Sequence, residues 1–340
     1  MATIATSVST YADVAKRTDP SGGIAGILEI LNRSNPILDD MLTMEANDGT
    51  GHKTTVRTGI PEATWRLLNY GVPKVKTTTA AVRDTTGMLE VYAECDKDLA
   101  DMSGNQKAYR LSEATGIMEG MSQQMAQTLI YGNTAVNPER FMGLAPRYST
   151  GVVANAQSAA NVFDGGGIDP TSNTSAYLVT WGEQHTHGLY PKGSQAGLRH
   201  RDLGEQTLVD SNGGQYQGYR DHFKWDIGLT VRDWRANARV ANIDTDQLDD
   251  PTYVMTIIKL MVEASESLPI SNEDTNAAGG RRVWYVGKNV RAALRWAILE
   301  KLAGNLTWEN WMGKRVVMFD DVPVRRVDAI LNTEAVVPFA

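Results

Sequence analysis

Cys95 is the single cysteine among the 340 residues of this chain. One thiol closes no internal disulfide and supplies no cysteine zinc site, so nothing here calls for an oxidising compartment. Long apolar runs are missing as well. Ile24 to Leu31 is interrupted by Gly26 and Glu29, far short of the roughly 18 unbroken residues a membrane helix needs. No membrane association is expected. The opening MATIATSVSTYADVAKR lacks the basic-then-apolar layout of a secretory signal, and none is expected. Strong charge of either sign is absent too: 33 Lys+Arg against 40 Asp+Glu leave a net −7. That balance argues against a dedicated nucleic-acid reader with a large phosphate footprint. The 42% hydrophobic content excludes a disordered chain.

Motifs of chemistry are equally scarce. Gly51-His52-Lys53-Thr54-Thr55 departs from a phosphate loop, because His52 separates the glycine from the lysine and Ala46 stands where the earlier glycine belongs. In Gly193-Ser194-Gln195-Ala196-Gly197 the serine is one place early for a nucleophile elbow. Asp244, Asp246, Asp249 and Asp250 lack the glycine and terminal glutamate of a calcium loop, and helix capping explains them better. His185 and His187, two apart, could face one side as metal ligands, with His200 or His222 brought in by folding. Solvated or hydrogen-bonded histidines are the favoured reading. Cys95 reads as a small core residue. No catalytic set, metal set or cofactor site emerges, and the chain is expected not to be an enzyme.

What is present is organisation. Residues 1–19 read as an arm, punctuated by Pro20-Ser21-Gly22-Gly23. Ile24, Ile27, Leu28 and Leu31 then fall at helical spacing, Pro36 breaks the pattern, and Ile37, Leu38, Met41 and Leu42 restart it. Between Gly49 and Asp96 two stretches alternate with period two: Thr54, Val56, Thr58, and Leu89, Val91, Ala93, Cys95. The middle carries Gly59-Ile60-Pro61 and Tyr70-Gly71-Val72-Pro73 with no continuous apolar face. This predicts a long hairpin of about 18 residues per arm, reaching roughly 60 Å. An isolated ribbon is marginal in water, so the hairpin wants a partner. Trp65, Leu67, Leu68 and Tyr70 near its tip are the candidate interface anchors.

From Gln106 to Tyr131 the period becomes helical, with Leu111, Ala114, Met118, Met121, Met125 and Leu129 on one face and Gly132-Asn133 as the stop. Residues 132–176 read mainly as loop. Tyr177 to Trp181 and Lys224 to Ile243 are strand-like, the latter slipping parity at Arg232-Asp233. Asp249-Asp250-Pro251 opens a helix; Arg282 to Val286 is a strand; Asn289 is expected to cap a helix through Leu302, closed by Gly304. Arg315 to Phe319 and Val322 to Val327 form a hairpin turned by Asp320-Asp321. The intermixing predicts an α+β fold.

This succession resembles the major capsid proteins of tailed bacteriophages, which share the Hong Kong 97 capsid fold. The segments that carry the resemblance are Tyr177 to Glu183, His187 to Gly193, Gly197 to Arg199, Asp202 to Gly204, Lys224 to Arg235 and Arg239 to Ile243. It implies an N-terminal arm and short helices (1–48) and an extended hairpin loop (49–96). A peripheral domain (97–176) would hold a spine helix at 106–131; an axial domain (177–305) and a return to the peripheral domain (306–340) would follow. It further implies hexamers and pentamers closing an icosahedral shell around packaged double-stranded DNA, touched without sequence specificity, in a virion assembled in the host cytoplasm. About 50 residues precede the hairpin, too few for a fused scaffolding segment, so a separate scaffolding protein is expected, with portal and decoration proteins as further partners. Two other readings stay open: an encapsulin-like compartment shell, and a metal-dependent hydrolase using His185, His187 and a carboxylate.

Overall fold

The computed structural model describes residues 35–49, 51–59, 61–102, 105–210, 212–269, 280–300, 306–311 and 314–339. The arm expected over 1–19, the helical spacing at 24–31 and the stop at Gly304 lie outside them. In chain order the elements begin with α1 (Ile37–Asp40), β1 (Thr43–Glu45), β2 (Gly51–Gly59), β3 (Thr78–Asp96), α2 (Lys97–Met102), α3 (Gln106–Tyr131) and α4 (Leu144–Arg147). There follow β4 (Val162–Asp164), β5 (Asn173–Trp181), β6 (Thr186–Tyr190), β7 (Leu198–Val209), β8 (Gln215–Val231) and β9 (Ala238–Asp244). The chain ends through α5 (Pro251–Glu266), β10 (Arg281–Val286), α6 (Lys288–Leu299), β11 (Leu306–Trp311), β12 (Lys314–Phe319) and β13 (Val322–Arg326).

Two compact units emerge. The smaller draws on Met88–Ala126 and Gly197–Asp226. Its core lies between the alternating residues Leu89, Val91 and Ala93 of β3, Phe223 and Trp225 of β8, and the Ala114–Met121 face of α3. The opposite parity of β3 carries charge, and it meets charge: Glu90 contacts Lys224 at 2.5 Å and His222 at 3.2 Å, and Glu94 contacts Arg220 at 3.1 Å. Tyr92 is stacked on His222 and lies under the Arg220 guanidinium. β7 pairs antiparallel with β8 from Leu198↔Trp225 to Val209↔Gln215, and shifts register between Asp202 and Glu205. Gly204 adopts a left-handed φ of 72° there. Only Leu208 of β7 is fully buried, which is why period-two reading passes over this strand. Polar contacts hold it instead: Arg110 of α3 reaches Asp202 at 2.6 Å and Asp221 at 2.8 Å.

One predicted position on α3 is misplaced. Ala114, Met121, Met125 and Leu129 are buried, but Leu111 is 64% exposed. At 3.6 residues per turn Leu111 stands on the same line as the buried Leu129, five turns further on; at its own end of the helix the packed side chains are Tyr109, against Leu99 and Ala100, and Arg110, on Asp221.

The larger unit comprises Asn35–Gly87, Gln127–Ala196 and Ile227–Ala340. At its centre all nine residues of β5 are buried. β10 and β9 flank β5 antiparallel; β10 continues in parallel to β13, then antiparallel to β12 and β11. Ala176 and Leu178 of β5 join Trp284, Val286 and Phe319 in a core capped by α5 and α6. α5 starts as the sequence predicts: Asp250 accepts from the Thr252 N–H at 2.9 Å, with Pro251 in the first turn. α6 does not. Gly287, not Asn289, is its N-cap, and the helix ends at Leu299. Backbone φ/ψ decides here, since Gly287 leaves β10 in extended geometry and the helix begins immediately after it. The parity slip at Arg232-Asp233 is a bend, with β8 ending at Val231 and a short 3₁₀ turn preceding β9. In the β12–β13 turn Asp320 (φ 50°) and Asp321 (φ 65°) are both left-handed, as a type I′ hairpin demands.

Candidate assembly surface

The hairpin predicted over 49–96 has unequal arms. β2 spans nine residues and β3 nineteen, and they pair from Gly51↔Thr85 to Gly59↔Thr78. Residues 61–77 form no strand. Pro61 and Pro73 have no N–H to donate, and Gly71 disfavours extended pairing, so the ladder cannot continue to the tip.

The root is clamped. The Asp84 carboxylate is buried and accepts from Arg147 of α4 at 2.7 Å and from the Thr230 hydroxyl. The same Arg147 nitrogen donates to the Leu229 carbonyl at 3.1 Å. Gly51, opposite Thr85, permits the close approach, since a Cβ there would stand 2.4 Å from the Asp84 carbonyl oxygen. The Asn47 amide extends the ladder, accepting from the Lys53 N–H at 2.8 Å and donating to the Lys53 carbonyl at 2.7 Å.

His52 of β2 meets His187 of β6 edge-on, with ring centroids 5.9 Å apart. Burial first, then the neighbouring His52, pushes the His187 imidazole down to about 4; Arg232 adds to this and Asp84 opposes it. His52 is also lowered, by burial and then by Arg232. A histidine held below its unfolded value of about 6.5 binds fewer protons folded than unfolded, so stability is lost as pH falls through that value. Between pH 6.5 and 4 the expected loss from His187 is on the order of 2–3 kcal/mol. Tm recorded against pH for the wild type and for His187→Gln checks this. An equally steep decline in the variant would sink it.

The tip contrasts with the root. Trp65 is 100% exposed, Leu67 73%, Leu68 85% and Tyr70 70%, with Val72 and Val75 more than half exposed. A turn closed by the Tyr70 N–H on the Leu67 carbonyl at 3.2 Å, with Asn69 left-handed at φ 69°, projects Leu68 outward. These side chains are not folded back onto their own chain. Exposed apolar patches larger than a few scattered side chains are uncommon on globular proteins and are commonly interaction sites.

The other sequence candidates are structural. His185 and His187 are buried, while His200 and His222 contact Asp221 and Glu90 in the smaller unit. Among the described residues no three His, Cys, Asp or Glu side chains are grouped to hold a metal ion. Cys95 is half-buried, and burial pushes its thiol up to about 11, so it stays protonated and inert. Asp244 accepts from the Asp246 N–H and Asp250 from the Thr252 N–H, which is capping. Sequence reading missed the Arg147–Asp84 clamp and a buried Arg239–Glu334 pair. The available signal was a lone charge amid apolar neighbours, as in Ala238-Arg239-Val240.

A clamped hairpin root, an exposed apolar tip and an α+β body agree with the Hong Kong 97-like capsid class. Over its full length the chain matches a chain in the cryo-EM structure of bacteriophage Epsilon15, covering all of both chains at 36% identity and a TM-score of 0.79. Residues 19–338 match the model of the family described as major capsid protein GP7, and the chain belongs to that family. It is thus a shell protein of a tailed-phage head and a component of the virion; the family is structural, not enzymatic. The capsid of bacteriophage JBD30 is a more distant likeness at 10% identity and a TM-score of 0.47, covering 87% of this chain and 91% of that one. An encapsulin from Synechococcus elongatus stands at 11% and 0.39, covering 61% and 87% respectively. At such scores neither likeness carries an argument. No curated protein matches the sequence significantly.

Proposed function

We propose that copies of this capsid protein assemble into hexamers and pentamers that close an icosahedral head around packaged double-stranded DNA, and that Trp65, Leu67, Leu68 and Tyr70 seat on a neighbouring copy. The exposure of these four side chains supports the reading best. They are apolar groups a lone subunit leaves in water, and burying them gains roughly 25 cal/mol per Å². A tip that docks on a different surface of the next copy is a heterologous contact, which closes into rings by rotation. Within this reading residues 1–48 are the arm, 49–96 the extended loop, 97–176 the peripheral domain with its spine helix, 177–305 the axial domain and 306–340 the return. A separate scaffolding protein, a portal and a decoration protein are the proposed partners, with assembly in the host cytoplasm. DNA must not adhere to its container, and a net charge of −7 suits that.

Deleting residues 60–72 tests the hairpin. The expected product is folded, with unfolding close to wild type, yet forms no shells by electron microscopy. Normal shells from the deletion would refute the assignment.

A further inference from the structure

Charge of one sign is interleaved with the apolar groups of the tip. Between Pro61 and Thr77 stand Arg66, Lys74 and Lys76 against Glu62 alone, whereas the whole chain carries −7. The rest of the chain is therefore more negative still. All four charged side chains are exposed, and none enters an ion pair among the described residues. The root is different: there Arg83 is matched by Asp48 at 3.0 Å and Arg147 by Asp84.

We propose that the tip docks on an apolar surface bordered by carboxylates on a second copy of this chain, so that Arg66, Lys74 and Lys76 meet acidic side chains around the buried Trp65 and Leu68. This rests on the assembly reading above and adds the chemistry of the partner surface. A nucleic-acid site fits less well, because Leu67, Leu68, Val72 and Val75 offer nothing to phosphate and gain only when covered by apolar groups. Peripheral cations around an apolar centre are the usual layout of a protein interface. The centre supplies affinity, while the charges set register and speed encounter. Exposed charges act over about 10 Å at moderate ionic strength, so assembly through this tip weakens as salt rises.

Two full-length variants separate the contributions: Arg66→Glu/Lys74→Glu/Lys76→Glu and Trp65→Ser/Leu68→Ser. Every substituted side chain is exposed, so both should melt like wild type; a neutral Arg66→Gln/Lys74→Gln/Lys76→Gln variant serves if the reversal lowers Tm. Shell yield by light scattering and electron microscopy is expected to fall roughly tenfold or more for the charge reversal at low salt, and wild-type yield to fall towards it at about 0.5 M salt. Normal, salt-independent assembly of the reversal beside a defective apolar variant would overturn the proposal and leave the interface intact. Normal assembly of both variants would remove the interface itself. Normal shells from the reversal that fail to retain double-stranded DNA would assign the cations to nucleic acid, again overturning the proposal.

Discussion

Arg239→Leu is expected to destabilise the capsid subunit by about 3–5 kcal/mol. Arg239 and Glu334 are among the most deeply buried charges described, with side chains 5% and 3% exposed and 2.8 Å apart. Arg239 also donates to Ser175 Oγ at 3.1 Å and to the Tyr148 carbonyl at 2.8 Å. Glu334 receives Ser175 at 2.5 Å and the Tyr131 hydroxyl besides. Removing the guanidinium leaves a carboxylate stranded in a medium that solvates it poorly, which costs far more than the net worth of the pair. The loss should reach beyond one side chain, because Glu334 anchors an irregular C-terminal segment. Its N–H donates to the Asn173 carbonyl at 2.9 Å, and Asn242 holds Val337 through two bonds of 2.8 and 3.0 Å. Urea unfolding of Arg239→Leu beside Arg239→Leu/Glu334→Leu measures this. The double variant should recover part of the loss, since it strands no charge. A single variant within about 1 kcal/mol of wild type would contradict the account.

Met121→Asp should be comparably severe and should abolish soluble folding. Met121 is 4% exposed and packs with Ala114 and Phe223 against Leu89, Val91 and Trp225. Truncating such a methionine already costs about 2–5 kcal/mol, and aspartate adds the desolvation of an unpaired carboxylate. Leu111→Asp is the matched control on the same helix. Exposed at 64%, it should change stability by no more than about 0.5 kcal/mol. The soluble fraction and unfolding midpoint of the two variants decide; equal stability of Met121→Asp and wild type would mean the buried face of α3 lies elsewhere.

Those two positions also show how far periodicity reaches. Six apolar residues mark α3 as a helix, yet spacing alone places Leu111 inside, because it stands on the same line as the buried Leu129 and periodicity does not say what covers that line at each end of the helix. The Asp320-Asp321 turn and the Asp250-Pro251 helix start were legible, since the physics of each is local: two left-handed residues, and one side-chain oxygen meeting one N–H. β7 was not, because it carries charges whose partners, Arg110 and Lys97 among them, are distant in sequence. The hairpin was legible as a ribbon, but its β2 arm, nine residues long, falls short of the predicted length, and the ladder stops where prolines remove its donors.

By itself the sequence determined what it lacks: lone Cys95 closes no internal disulfide, no apolar run reaches the length of a membrane helix, and no spacing matches a phosphate loop or a nucleophile elbow. It also determined the α+β alternation and the apolar tip, for periods of two and 3.6 are written into the order of residues. Only the tertiary structure decided which charges are buried. Arg147 meets Asp84, and Arg239 meets Glu334 across 95 residues of chain; whether a charge is solvated or stranded depends on neighbours that no local pattern names.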